Sequence, residues 1–183
     1  MILIGLGGNI PFPETGSPRS TCGAALDQLT RFGIRITRRS QWYESAPVPV
    51  SEQPWYVNGV VTAESSVSAT DLVDILLETE LRFGRRRDAI NAPRTLDLDL
   101  IAYGDAVIDT VTTKGHAVNV PHPRMNERAF VLLPLRDIAP DWRHPSLGLS
   151  VDRLIEAMPA GQETRLMADA EGVYGTEWVA RTG

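Results

Sequence analysis

Two aspartates one residue apart, Asp97 and Asp99, interrupt the apolar run "RTLDLDLIAYG" at residues 94–104. In an extended segment side chains alternate between faces, so both carboxylates point the same way, their Cα atoms about 6.5–7 Å apart. Leu96, Leu98 and Leu100 fall on the opposite face and supply the burial. Like charges at that spacing repel and raise each other's pKa unless a cation holds them. Hard oxygen ligands with open positions suit Mg²⁺, which takes one or two carboxylates together with phosphate oxygens and water. Just upstream, "RFGRRRDAINAPR" gathers Arg82, Arg85, Arg86, Arg87 and Arg94. Guanidinium groups grip phosphate oxygens through paired N–H donors. A polyphosphate held between arginines and a carboxylate-bound metal is the arrangement of phosphoryl transfer. The competing structural reading is a half-exposed strand with a solvated polar face beside a surface arginine loop.

Other residues extend the same chemistry. On the helix expected over 68–83, Ala69, Leu72, Val73, Leu76 and Leu77 form an apolar stripe, and Glu80 continues it inward. A core-facing acid is paired or functional, and an ion pair with Arg94 or Arg85 is the bland alternative. "VPHPRMNERAF" offers His122, Arg124 and Arg128, a phosphate clamp or a structural loop. "APVPVSEQP" carries three prolines in nine residues and cannot be regular structure. With the "WYVN" that follows, this preshaped loop offers an aromatic stacking face and a planar hydrogen-bonding amide.

The elements that must position these groups follow in order. "MILIGLGG" reads as a buried strand closed by a glycine turn, and "PFPETGSPRS" (11–20) as a loop. A helix is expected from about Cys22 to Phe32, with Ala24, Ala25, Leu29 and Phe32 on one face. "IRITRRSQWYES" alternates as a strand, and "WYVNGVVTAES" is a second one. Ser68 or Thr70 caps the next helix and Gly84 stops it. The acidic strand, a hairpin arm with a long turn, a helix containing Pro134 and a 151–183 tail, with a short helix in "VDRLIEAM" and then weakly patterned residues, complete the chain. This β-α-β-β-α-β order predicts an α+β sandwich, with helices packed on one face of a mainly antiparallel sheet.

The 183 residues suit one domain with a sizeable core. A net charge of −5 argues against nucleic-acid binding. The chain has a single cysteine and no apolar run of the roughly 18–20 residues a membrane span needs. With no signal-peptide pattern either, a cytoplasmic location is expected.

"GRRRDAINAPRTLDLDLIAYG", "WYESAPVPVSEQPWYVNGVV" and "VPHPRMNERAFVLLPLRDIAP" together resemble the 6-hydroxymethyl-7,8-dihydropterin pyrophosphokinases of folate biosynthesis. With the N-terminal "GLGGNI", similar to that family's Gly-Ser-Asn turn, the likeness spans about residues 3–140. It implies a ferredoxin-like α/β sandwich and transfer of pyrophosphate from ATP to the hydroxymethyl group of a reduced pterin, leaving AMP. By the resemblance, Asp97 and Asp99 hold two Mg²⁺ ions, and Arg85 and Arg87 belong to a mobile catalytic loop. Arg94, His122 and Arg128 grip phosphate, and Glu80 is a helix acid of the nucleotide site. Tyr56 and Phe130 sandwich the pterin, Asn58 reads its edge, and Ser45, Ala46 and Val48 line its pocket, Ser45 and Val48 through backbone groups. The expected partners are ATP and the pterin, with association with other folate enzymes also allowed.

Departures from the family pattern are Asn91 where a lid tryptophan is common, a loop about one residue shorter, Pro123 for a tyrosine, and Ala46 for a proline. Two rival functions are another Mg-dependent nucleotidyl or phosphoryl transferase, and a non-catalytic pterin- or nucleotide-binding module.

Overall fold

In the apolar N-terminal run, β1 (Ile2–Gly8) extends through all of its glycines, because hydrogen-bonding strands flank it on both sides. These are β4 (Tyr56–Glu64) and β5 (Asp97–Tyr103), both antiparallel to it. The structure is a computed structural model describing residues 1–49, 51–85 and 92–168. The expected glycine turn after Ile4 is thus part of the central strand, and the chain turns only after Gly8.

Next come α1 (Pro18–Arg31), β2 (Arg35–Arg39) and β3 (Tyr43–Ser45), and α2 (Ala69–Arg82) joins β4 to β5. The hairpin β6 (Ile108–Val111)–β7 (Ala117–Val120) and a 3₁₀ turn at Met125–Glu127 lead to α3 (Ala129–Ile138), α4 (Val151–Ala157) and β8 (Thr164–Leu166). The main sheet runs β5-β1-β4-β3-β8, with β2 also on β4, and every pairing is antiparallel. This is the ferredoxin-like order implied by the resemblance, with four helices among the described residues packed on an antiparallel sheet.

The single strand expected over 34–45 is two. Ser40 interrupts it: its Oγ accepts the Val60 N–H at 3.0 Å, doing a backbone carbonyl's task while the chain shifts register. Helix α1 starts earlier than expected, at Pro18, whose missing N–H is harmless in a first turn, and Ser17 caps it through the Ser20 N–H. Its inward stripe is Cys22, Ala25, Leu26 and Leu29, whereas Phe32 lies past the helix and is exposed. Helix α2 is capped by Ser68, and Gly84 beyond its end takes a positive φ of 79°.

One sheet face carries Ile4, Leu6, Leu98 and Leu100 against Leu26, Leu29, Leu72 and Leu76 of the first two helices. The other carries Leu3, Val60 and Ile101 against Val131, Leu132, Leu135 and Leu154 of the last two, so helices cover both faces and not the one expected, because the central strands are apolar on both sides.

Candidate active site

Helices α3 and α4 leave one end of their sheet face uncovered, and there a cavity of about 540 Å³ opens, a size usual for small-molecule sites. Its floor is three strands wide. Gly7 faces Asp97 on one side and Asn58 on the other, and Gly5 likewise lies between Asp99 and Val60. Glycine is uncommon inside a central strand and marks close approach by a ligand or another backbone. A Cβ on Gly7 would sit 3.1 Å from Asn58 Oδ1. The bare floor keeps the acidic and amide sides of the cavity open to each other.

On the acidic side, β5 places Asp97 and Asp99 on the cavity face, 26% and 36% exposed. Arg94 Nη1 donates to Asp97 at 2.9 Å, Arg85 Nη1 lies 2.5 Å from the same carboxylate, and Arg128 Nη1 lies 3.5 Å from Asp99. Burial, and after it the Asp97 charge, raises the Asp99 carboxyl to about 6. Arg94 and Arg128 line the cavity. Arg85 reaches it only through Asp97, and Arg87 and Asn91 lie outside the described residues.

Glu80 does not line the cavity. Only 1% exposed behind β5, it accepts the Leu98 N–H at 2.7 Å and pairs with Arg85, so it fastens α2 to the acidic strand and holds that arginine. Burial, and next the Asp97 charge, pushes its carboxyl up to about 8. His122 is not among the lining residues either. Its N–H donates to the Ile101 carbonyl at 2.9 Å and its Nδ1 accepts the Arg124 N–H at 3.2 Å. Burial, then the charges of Arg128 and Arg124, lowers its imidazole to about 4.

On the other side, Ser45, Ala46, Val48, Tyr56, Asn58 and Phe130 all line the cavity. The amide of Asn58 donates from Nδ2 to Ser45 Oγ at 2.9 Å and to the Tyr56 carbonyl at 3.3 Å. Its donors are therefore engaged within the protein, leaving Oδ1 as the group offered to the cavity. Ser45 was expected to act through its backbone, yet its hydroxyl orients this amide. The Ala46 N–H is taken by the Glu163 carbonyl at 3.0 Å, and Val48 stands exposed at the rim. The Arg128 guanidinium lies 5.4 Å from the Phe130 ring centroid, so the arginine and aromatic groups meet at one corner.

Arg124, offered by the sequence together with His122 and Arg128, lines the cavity, whereas sequence reasoning missed Glu127 and the 159–162 segment of the wall. It also missed Asn9, which is 3% exposed and joins the two sides. Its Oδ1 accepts the Arg94 N–H at 2.8 Å, while Nδ2 donates to the Pro54 carbonyl at 3.1 Å and Gln53 Oε1 at 3.3 Å. The polar residue straight after two glycines was the only local signal for it.

Among the described residues no group of three or more His, Cys, Asp or Glu could cage a metal. The two carboxylates facing the cavity nevertheless fit magnesium, which needs few protein ligands when phosphate oxygens and water complete its shell.

Residues 3–140 match the family model of 7,8-dihydro-6-hydroxymethylpterin-pyrophosphokinase (HPPK). A 2-amino-4-hydroxy-6-hydroxymethyldihydropteridine pyrophosphokinase from Synechocystis is 42% identical over 155 residues, covering 84% of this chain and 74% of that one. A Pseudomonas aeruginosa protein of the same name is 39% identical over 159 residues, 86% of this chain and 91% of that one. Among solved structures, a Plasmodium falciparum HPPK-DHPS matches 85% of this chain and 42% of its own, with TM-score 0.63 and 12% identity, a likeness of fold. On the family match and these two relatives, the chain belongs to the 7,8-dihydro-6-hydroxymethylpterin-pyrophosphokinase family.

Proposed function

We propose that this protein transfers the terminal pyrophosphate of ATP, as one unit, to the hydroxymethyl group of 6-hydroxymethyl-7,8-dihydropterin, releasing AMP for folate biosynthesis. One observation carries the reading: a single cavity joins an acid–arginine cluster to an aromatic and amide pocket across a floor of two glycines. Moving the β and γ phosphates together requires the pterin oxygen to bond to the β phosphorus. The bond from that phosphorus to the oxygen shared with the α phosphate breaks, that oxygen leaves with AMP, and the hydroxyl proton passes to solvent.

Asp97 and Asp99 would hold magnesium, two ions on the family's pattern, which when bound neutralises the triphosphate and eases ionisation of the attacking hydroxyl. Arg94 and Arg128 bind phosphate oxygens from opposite sides of the carboxylates. Arg85, held by Glu80, and Arg87 add charge from the arginine loop, and His122, neutral at pH 7, donates or accepts a hydrogen bond at the phosphates. Tyr56 and Phe130 bracket the pterin ring, and Asn58 Oδ1 accepts from a ring N–H or amino group. No side-chain nucleophile is needed, because positioning and charge neutralisation supply the rate. Residues 151–168 belong to this same working unit, since their loop walls the cavity.

The protein is proposed to work in the cytoplasm; no helix of the described residues is long and apolar enough to cross a membrane. Some relatives are named bifunctional folate synthesis proteins, which supports association with other folate enzymes here. The test is to mix protein, ATP, Mg²⁺ and the hydroxymethyl pterin. AMP that appears only when pterin and metal are both present is expected. ADP or free pyrophosphate as the product would favour a different phosphoryl or nucleotidyl transferase.

A further inference from the structure

The N-terminus of α3 lacks the cap its sequence would normally supply. Arg128 occupies the cap position and makes no side-chain capping bond, although the first-turn N–H groups of a helix need partners. The acceptor comes from 33 residues away: Gln162 Oε1 takes the Ala129 N–H at 2.9 Å. The other end of the same amide donates from Nε2 to the Glu127 carbonyl at 2.7 Å and to the Pro159 carbonyl at 3.2 Å. One side chain therefore grips the backbone on both sides of Arg128.

The gripped residues face the site. Arg128 approaches Asp99 at 3.5 Å, and Phe130, one residue past the capped N–H, lines the cavity. Gln162 is itself tied down. The next residue accepts the Ala46 N–H, β8 pairs with β3, and Arg165 lies 2.5 Å from Glu44 and 4.6 Å from the Trp55 ring centroid. The 159–162 wall lies beyond residue 140, where the family match ends.

We infer that Gln162 is a positioning residue for the pterin half of the site: it caps α3 from the C-terminal segment and so aims Phe130 and Arg128 into the cavity. This rests on the pyrophosphokinase reading for the identity of the ligand.

The test compares the full-length parent with Gln162→Leu, similar in shape without polar ends. KM for pterin, KM for ATP, kcat and Tm are measured, and pterin affinity is taken separately by fluorescence titration with a non-hydrolysable ATP analogue. Loss of the grip is expected to weaken pterin binding about tenfold, the factor equivalent to ~1.4 kcal/mol. ATP KM should stay within about twofold, and Tm within a few degrees. Gln162→Glu keeps the acceptor for Ala129 and a charge suited to a helix N-terminus, so its defect should be the smaller. Unchanged pterin affinity in Gln162→Leu would overturn the inference. So would parallel losses for pterin and ATP with a large fall in Tm, or a defect in Gln162→Glu as large as in Gln162→Leu. A parent that binds pterin without turnover would refute the proposed reaction while leaving Gln162 fully tested by the titration; a parent that binds no pterin overturns both.

Discussion

Asn9 is where the two halves of the cavity are stitched together, and its removal should be felt in both. Substituting alanine deletes three hydrogen bonds, at 2.8 Å to the Arg94 N–H, 3.1 Å to the Pro54 carbonyl and 3.3 Å to Gln53, from a side chain only 3% exposed. At about 1 kcal/mol net for each bond, the loss is roughly 3 kcal/mol, and more if the stranded Arg94 and Pro54 groups stay dry. For a chain of this size that corresponds to a fall in Tm of about 6–12 °C. Arg94 precedes Asp97 by three residues and pairs with it, so slack at Arg94 should also misplace the phosphate-binding groups. A misplacement near 1 Å costs on the order of 10²-fold in rate. Asn9→Asp separates the two arms. It keeps the acceptor for Arg94 but sets a carboxylate oxygen against the Pro54 carbonyl, so pterin KM should rise more than kcat falls. The assays are thermal melting and AMP release with each substrate varied in turn. Asn9→Ala with Tm within 2 °C of the parent, and with both kinetic constants near parental, would refute the coupling.

Phe130→Ala should raise pterin KM by about 10–100-fold, matching the ~1.5–3 kcal/mol of a lost aromatic contact, and leave ATP KM nearly unchanged in the same AMP assay. Glu80 gives a pH signature in the ligand-free protein with chelator present. Its carboxyl lies near 8 when folded against 4.5 as a free side chain. Between those values the folded state keeps a proton that the unfolded state has lost, so stability falls as pH rises. Asp99 changes in the same sense around its folded value of about 6 and is nearly spent a pH unit higher. His122 and His144, both lowered from 6.5 in the fold, act with the opposite sign as their unfolded imidazoles lose protons around 6.5. Melting between pH 7 and 8 is therefore governed mainly by Glu80, and Glu80→Gln should flatten the decline; a parent curve that is flat or rising there would refute the burial effect. Asn91→Trp, which puts back the residue common at this position in the family pattern, should change turnover or substrate affinity, and no change in either would discard a closing role for this position.

Where a signal was local, the sequence disclosed the site. Strand alternation put Asp97 and Asp99 on one face and Leu98 and Leu100 on the other, as observed. The helical stripe through Leu72 and Leu76 brought Glu80 inward, though to brace β5 and Arg85 and not to line the cavity. The order of strands and helices was legible because each element is bounded by its own caps and breaks. Failures arose where a neighbour decided the outcome. Gly5 and Gly7 resembled a turn because nothing in their own run shows that β4 and β5 flank them. The density of Pro and Gly over 11–20 hid the Ser17–Pro18 helix start. The break at Ser40 depends on the Val60 N–H across the sheet. Gln162 was invisible because its partners are 33 and 35 residues away, in a segment whose own pattern is weak.

The most direct measurement is calorimetric titration of a non-hydrolysable ATP analogue into the parent and into Asp97→Asn/Asp99→Asn, each with Mg²⁺ and with chelator. The parent should bind tightly only with the metal, and the double variant should lose that metal-dependent increment while its melting transition stays cooperative. Equal magnesium-dependent binding by both proteins would contradict the role given to the carboxylate pair.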